Sequence, residues 1–304
     1  MTVHLSVMPQ EIQETLIERF VDFQESGVFV DCTLGGGGHT SQVLQWIKRH
    51  NLSHRVIAFD RDGVAIQRAC SRFEDDIRLE RLKVVHAPFS EACEYVKNQR
   101  VYGVLADLGI SSDQLDEGQR GMSFRFEGPL DMRMDQSKGI SCFDYLHHID
   151  QNELENVIRT LGEEKFAGRI ARVIIEARDQ KKLENNSLFL AKLIQNSVPK
   201  KFRYGRIHPA TRTFQALRIR VNDELEELDS ILKDMVTCLH EGGRMGVISF
   251  HSLEDRRVKQ CFRELHQKKK FSLVQKKAWV PTDEEIASNS RARSAKYRVI
   301  EKVR

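Results

Sequence analysis

A chain of 304 residues, 40% hydrophobic and 30% charged, can hold two domains, or one domain with a large insertion. It contains no apolar run of about 18 residues to cross a bilayer. Glu11, Glu14, Glu18, Asp22 and Glu25 stand where a secretory signal would be basic and then apolar, so a cytoplasmic protein is expected. The net charge of +4 hides an asymmetry: residues 256 to 304 carry fifteen Lys and Arg against five Asp and Glu, which suits either a polyanion-binding surface or a solvated helix face.

Residues 9 to 24 predict an amphipathic helix with Ile12, Leu16, Ile17, Phe20 and Val21 on one side, ended by Gly27. The stretch Val28 to Thr40 follows, an apolar β-prone run that ends in Asp31 and then in four glycines, Gly35 to Gly38. Glycine tolerates positive φ and has no Cβ, so such a turn lets backbone pass close to a ligand at the start of a helix, here the one carrying Val43, Leu44, Trp46 and Ile47. A nicotinamide-binding turn places Gly-x-Gly-x-x-Gly directly after the strand. Here Asp31 lies four residues before the first glycine, where it could hold a cationic or amine-bearing ligand, and the pattern leans toward S-adenosylmethionine.

A second strand, Arg55 to Asp60, ends in a carboxylate 22 residues beyond Gly38, the place from which an acid accepts ribose hydroxyls. Asp60 could equally cap a helix with Asp62. A third strand, Leu82 to His86, leads into Phe89, which suits either the core or an adenine neighbour. A fourth, Val101 to Leu108, carries Asp107 near its end. Ligands of open parallel sheets bind beyond the carboxyl ends of the strands, so Asp31, Asp60, Phe89 and Asp107 are predicted to converge in a doubly wound α/β domain.

The rhythm changes after Ile110. Residues 111 to 135 read as an irregular loop and 150 to 205 as helices, with Leu154, Val157, Ile158 and Leu161, then Phe166, Ile170, Val173 and Ile174, then Leu188, Leu190, Leu193 and Ile194 at helical spacing. Residues 112–207 are therefore expected to form an inserted, mainly helical domain, with 1–111 and 208–304 building the parent. A helical stretch from His208 breaks near Asn222-Asp223 and resumes to Leu239; a fifth strand, Arg244 to Phe250, then leads to His251 and another helix. Phe271 to Val274 and Tyr297 to Val303 are expected to close the sheet as an antiparallel pair around Arg291, Arg293 and Lys296. The six cysteines, at 32, 70, 93, 142, 238 and 261, form no Cys-x-x-Cys pair. They are expected to be reduced, and no metal site is expected.

Several stretches together resemble the bacterial small-subunit (16S) ribosomal RNA (cytosine-N4)-methyltransferases, the RsmH or MraW family. They are His4-x-Ser6-Val7-Met8, Asp31-x-Thr33-x-Gly35-x-Gly37-Gly38-His39, Asp107 to Ser112, Gly128 to Asp135, His208 to Arg218, Ser249 to Arg256 and Arg291 to Lys296. The resemblance implies a Rossmann-like methyltransferase sheet with an inserted domain. It also implies methyl transfer from S-adenosylmethionine to the exocyclic N4 of a cytosine in the decoding region. Carried onto this chain, the family's cofactor positions fall on Gly37, Gly38, His39, Asp60, Phe89, Asp107 and Gln114. The chain departs from the family pattern at Asp113, usually a proline, and at Tyr297, usually a leucine.

For the chemistry, Asp107 is the first candidate to accept the amino proton of the target base. His251 is the second, with a structural histidine as its alternative. Arg212, Arg291, Arg293 and Lys296 are candidates to neutralise RNA phosphates, and the inserted domain to present a wall for an unstacked base. The small ribosomal subunit, assembled or nearly so, is the expected partner; the oligomeric state stays open. A nicotinamide-dependent oxidoreductase and a non-catalytic RNA-binding assembly factor are the two rival readings.

Overall fold

The computed structural model describes residues 6–205 and 207–303. His4 lies outside them, as does the side chain of Asp113. The chain divides into a sheet unit, Met1–Gly109 with Leu225–Arg304, and a helical unit, Ile110–Glu224. The boundary expected at 207/208 falls instead at 224/225, because the helix Thr211–Asn222 sends Phe214 and Leu217 into the core of the helical unit.

In the sheet unit seven strands run β1 (Val28–Asp31), β2 (Arg55–Asp60), β3 (Leu82–His86), β4 (Val101–Asp107), β5 (Leu239–Ser249), β6 (Phe271–Leu273) and β7 (Lys296–Lys302). Their order in the sheet is β3-β2-β1-β4-β5-β7-β6. The first five are parallel, and β7 pairs antiparallel with both β5 and β6. All four residues of β1 are buried, as a strand covered on both faces requires. One face packs under Leu228, Ile231, Leu232, Met235, Val258 and Phe262, the other under Ile12, Leu16, Phe20, Val43, Leu44 and Ile47. The order of strand addition reverses at β1, where β2 and β4 flank it, so the carboxyl ends of β1, β2 and β4 open onto the topological switch point where ligands of such sheets bind.

The expected N-terminal helix forms, but as a short α turn (Pro9–Ile12), a π turn (Gln13–Ile17) and a 3₁₀ turn (Glu18–Asp22). Thr15 Oγ1 donates to the Glu11 carbonyl at 2.6 Å, a back-bond that disturbs the helical ladder, and meets the Tyr297 hydroxyl at 2.8 Å. Val21, expected on the apolar side, is 42% exposed. Cys93 and Cys238, expected as separate thiols, are bridged with their Cα atoms 6.5 Å apart.

The helical unit packs Gln151–Gly162, Ala167–Asp179, Ser187–Ser197 and Thr211–Asn222 around Leu154, Ile158, Ile170, Ile174, Leu190 and Ile194. Its irregular first part is tightly pinned. Asn222 Oδ1 accepts the Met134 N–H at 2.7 Å while its Nδ2 donates to the Met132 carbonyl, and Asp131 takes Arg133 through both carboxylate oxygens. A Cβ on Gly128 would stand 1.8 Å from the Gly118 carbonyl oxygen, so the two loop strands cross where only glycine fits.

Candidate active site

The site grows from the end of β1. Asp31 is buried, its Oδ2 accepting from Thr40 Oγ1 at 2.6 Å and its Oδ1 from the Thr33 N–H at 3.1 Å. Burial raises its pKa, opposed first by the Thr40 hydrogen bond and then by the charge of His39 and the Thr33 N–H. Asp31 thereby braces the loop to the helix that follows it.

The loop then turns sharply. Leu34 N–H donates to the Phe59 carbonyl of β2 and Gly37 N–H to the Leu34 carbonyl, while Gly35 and Gly37 take φ of 49° and 74°. A Cβ on Gly37 would lie 2.6 Å from the Phe73 ring, and one on Gly38 2.0 Å from Ser6 Oγ. The glycines thus admit the chain's own Phe73 and Ser6, a reason beyond the close approach of a ligand. Helix Gly38–Arg49 starts there, and its first N–H groups, which have no partners within the helix, are a donor surface.

His39 and Asp107 meet beside that helix start. His39 is buried, and its Nε2 stands 3.7 Å from Asp107 Oδ2, beyond hydrogen-bond reach. His39 Nδ1 and Nε2 and Asp107 Oδ1 are buried and have no hydrogen-bond partner. Thr33 Oγ1, accepting the Asp107 N–H at 2.7 Å, fixes the end of β4 against the loop. Each buried polar atom left unpaired costs about 1–3 kcal/mol, so three in one pair of residues mark a place completed by a polar ligand.

Asp60 ends β2 with Oδ2 accepting the Gly35 N–H and Oδ1 the Asp62 N–H, both at 2.8 Å. Asp62, not Asp60, caps the next helix, through the Val64 N–H. Each Asp60 oxygen keeps a lone pair for a ribose hydroxyl. Burial pushes its pKa up to about 6, against the pull of the Asp62 and Gly35 N–H groups. Phe89 sits in the turn Phe89–Glu91 after β3, half-buried against the core under that strand.

His251 takes the structural place that the sequence left open beside the catalytic one. It is the N-cap of helix Ser252–Gln267, where its Nδ1 accepts the Glu254 N–H and the Glu254 carboxylate accepts the N–H groups of Phe250 and His251. Its Nε2 lies 3.1 Å from Glu254 Oε1, although the angle there is not that of a hydrogen bond. His251 Nδ1 is thus taken up by the helix cap, while Nε2 is buried beside Glu254 without a hydrogen-bond partner.

The phosphate-binding candidates separate. Arg291 and Arg293 lie in the turn Ser290–Ser294, with Arg293 exposed. Lys296 is paired with Asp255 at 3.1 Å, and Arg298 joins the same carboxylate at 2.7 Å. Burial raises the Asp255 pKa, but hydrogen bonds from Arg298 and Lys296 outweigh it, so the carboxyl titrates below its ordinary value. Lys296 and Arg298 thus share one carboxylate, which leaves the cluster with a net positive charge. Arg212 and Gln114 belong to the helical unit. Gln114 is buried, its side-chain carbonyl accepting the Ser111 N–H. Arg212 lines a small hollow of about 150 Å³ with Lys165, Phe166, Phe202 and His208. Thr33 and Thr40, which set the geometry of the acids, were given no role from the sequence, although Thr33 stands in the motif that carries the resemblance. Their signal was spacing, two and nine residues after Asp31.

A glycine turn at the switch point, acids at the ends of β1, β2 and β4, and an antiparallel seventh strand define an S-adenosylmethionine-dependent methyltransferase. The chain belongs to the MraW methylase family, whose pattern matches residues 1–303. It is 42% identical over 325 aligned residues to the ribosomal RNA small subunit methyltransferase H of Nitrosomonas europaea, covering 99% of this chain and 98% of that one. Proteins of the same name from Citrifermentans bemidjiense and Clostridioides difficile are 41% and 39% identical, with 99% of this chain covered in each case and 98% and 99% of theirs. Among solved structures, a rRNA methylase from Streptococcus thermophilus aligns with a TM-score of 0.42 and 13% identity, over 99% of each chain.

Proposed function

We infer that this chain methylates the exocyclic N4 of a cytosine in the decoding region of small-subunit (16S) ribosomal RNA, as a cytoplasmic enzyme acting on an assembled or nearly assembled subunit. The observation that carries the catalytic reading is the group of unpaired buried atoms on His39 and Asp107 beside the glycine turn. The relatives' names supply the RNA.

When bound, S-adenosylmethionine supplies an already activated methyl group on a sulfonium. Asp60 accepts its ribose hydroxyls, the start of helix Gly38–Arg49 offers N–H donors, and His39 and Asp107 face its polar groups. Phe89 and Gln114 are carried over from the family as further cofactor contacts. The main task left to the protein is orientation, for which effective molarities of about 10⁵–10⁸ M are within reach.

The cytosine amino lone pair is delocalised into the ring. An acceptor beside N4 localises it and takes up the proton that N4 sheds. Asp107 Oδ1 is the free acceptor at the end of β4, and it holds that position because Thr33 pins its backbone. A paired amino group is out of reach, so the target base must be unstacked. The helical unit, with Phe166 and Phe202 beside Lys165 and Arg212, is a surface we assign to the substrate RNA. Arg291 and Arg293 add phosphate contacts.

Nucleoside mass spectrometry of ribosomal RNA from cells with and without the protein identifies the base and the atom. N4-methylcytidine should vanish with the protein, and its persistence would remove the assignment. For Asp107→Asn, methyl incorporation should fall by about 10²-fold or more. If cofactor affinity alone drops while turnover at saturation is kept, Asp107 is a cofactor clamp and not the acceptor.

A further inference from the structure

The sheet unit has a second cleft, of about 940 Å³. Helices Glu224–Cys238 and Ser252–Gln267 form its sides, and Phe271 of β6 and Lys302 of β7 its end. One end of it, with Phe271 and Lys302, lies at the amino end of the parallel strands: Lys302 Nζ donates to the Leu239 carbonyl at 2.7 Å, and Leu239 pairs with Val101, the first residue of β4. Asp107 is the last residue of that strand, about 20 Å away at about 3.3 Å per residue. That end of the cleft is therefore distant from the methyl-transfer site, while Asp229, Arg256 and Arg257 extend the cleft toward the start of helix Ser252–Gln267.

Its charge is one-sided. Lys233, Arg256, Arg257, Lys268, Lys270 and Lys302 line it, against Asp229 and Glu264. Both acids are occupied within the cleft, Asp229 by Arg257 Nε at 3.2 Å and Glu264 by Gln260 Nε2 at 3.0 Å. Lys233, Lys268 and Lys270 are exposed, and none is in an ion pair among the described residues. Between the cations runs an apolar strip of Leu232, Val236, Leu265 and Phe271.

We propose that this cleft is a second RNA-binding site, taking a phosphodiester segment of the substrate distant from the methylated base. Lysine ammoniums are flexible point charges suited to phosphates along a strand, and an apolar strip between them accommodates the less polar sugars and bases. Their spread from helix Glu224–Cys238 to the turn after Gln267 fits an extended polyanion better than one small anion, which would call for converging donors. Lys268 and Lys270 bring part of the basic C-terminal region here. The proposal rests on ribosomal RNA being the substrate.

The test replaces Lys233, Lys268 and Lys270 together by Gln and, separately, by Arg, and measures binding to a small-subunit RNA fragment across a salt series. S-adenosylmethionine affinity serves as the folding control. The Gln triple should bind RNA at least about tenfold more weakly near 0.1 M salt, with a log–log salt slope shallower by about 2, since each single-strand phosphate contact contributes about 0.7. The Arg triple should behave as the parent, and cofactor affinity should not move in either. An unchanged slope in the Gln triple overturns the proposal. So does normal binding of naked RNA with lost binding of the assembled subunit, which would make the cleft a ribosomal-protein contact. If the parent protein neither binds nor methylates ribosomal RNA, the substrate reading itself has failed.

Discussion

Asp60 joins electrostatics to function at a single carboxyl. Burial holds its pKa at about 6, above the ordinary value of 3.8, so the folded protein keeps that proton more tightly than the unfolded chain. Its contribution to stability is therefore full below about pH 4 and is lost as pH rises through about 6. Ligand binding runs the other way, because ribose hydroxyls donate best to the ionised group. Affinity for S-adenosylmethionine should rise between about pH 4 and pH 6, and calorimetric titrations of Asp60→Asn should lose both the affinity and much of that slope. An equal slope in the variant would assign the titration to another group. Asp31 works differently: in Thr40→Ala its Oδ2 loses a hydrogen bond inside the fold, which should cost about 1–3 kcal/mol in denaturant unfolding. The strand-end acids were legible in the sequence because an apolar run ending in Asp is a local pattern. The division of labour among them was not, since it depends on a hydroxyl nine residues away and on the closing of the turn. The cap formed by His251 was not legible for a similar reason: histidine is not a common cap, and only Glu254 folded back onto it reveals the capping box.

The glycine turn and the β5–β7 pair show how much an element owes to distant residues. Gly37 combines φ of 74° with a Phe73 ring that leaves no room for a methyl group. Gly37→Ala should cost about 1–2 kcal/mol from the backbone alone and weaken the cofactor further by displacing the helix start. Thermal unfolding and cofactor titration read the two effects separately. Tyr297 is fully buried in β7, where burial raises its pKa, and its hydroxyl meets Thr15 on the N-terminal helical turns. Gly246 on β5 makes room for that ring, since a Cβ there would come within 2.6 Å of the hydroxyl. The tyrosine that departs from the family pattern thus comes with a partner. Tyr297→Phe should lose about 1 kcal/mol, the usual worth of such a bond, as measured by urea unfolding. The seven strands were legible from apolar runs bounded by turns. The broken character of residues 9–22 was not, because the hydroxyl that disturbs the helix is drawn partly by a residue 282 positions away.

At the scale of the whole molecule, the chain holds two separate hydrophobic cores, one pair of layers about the sheet and one cluster among the helices of residues 110–224. The insertion was visible in the sequence as a change from alternating strands to helical spacing. Its end was misplaced because Thr211–Asn222 reads equally well as a helix of either unit, and only the burial of Phe214 and Leu217 decides. Units with their own cores can unfold as separate steps, and a ligand stabilises the part that binds it by an amount set by its concentration over Kd, about 2.7 kcal/mol at a hundredfold excess. Scanning calorimetry of the intact chain should therefore resolve two transitions. S-adenosylmethionine should raise the one belonging to the sheet unit, whose Asp60, His39 and Asp107 we propose as its cradle. Asp60→Asn should abolish most of that rise and leave the other transition in place. Tryptophan fluorescence can assign the sheet transition, because Trp46 and Trp279 both lie in that unit. A single transition in the intact protein, with fluorescence and calorimetry coinciding throughout, would show that the two cores unfold as one cooperative body.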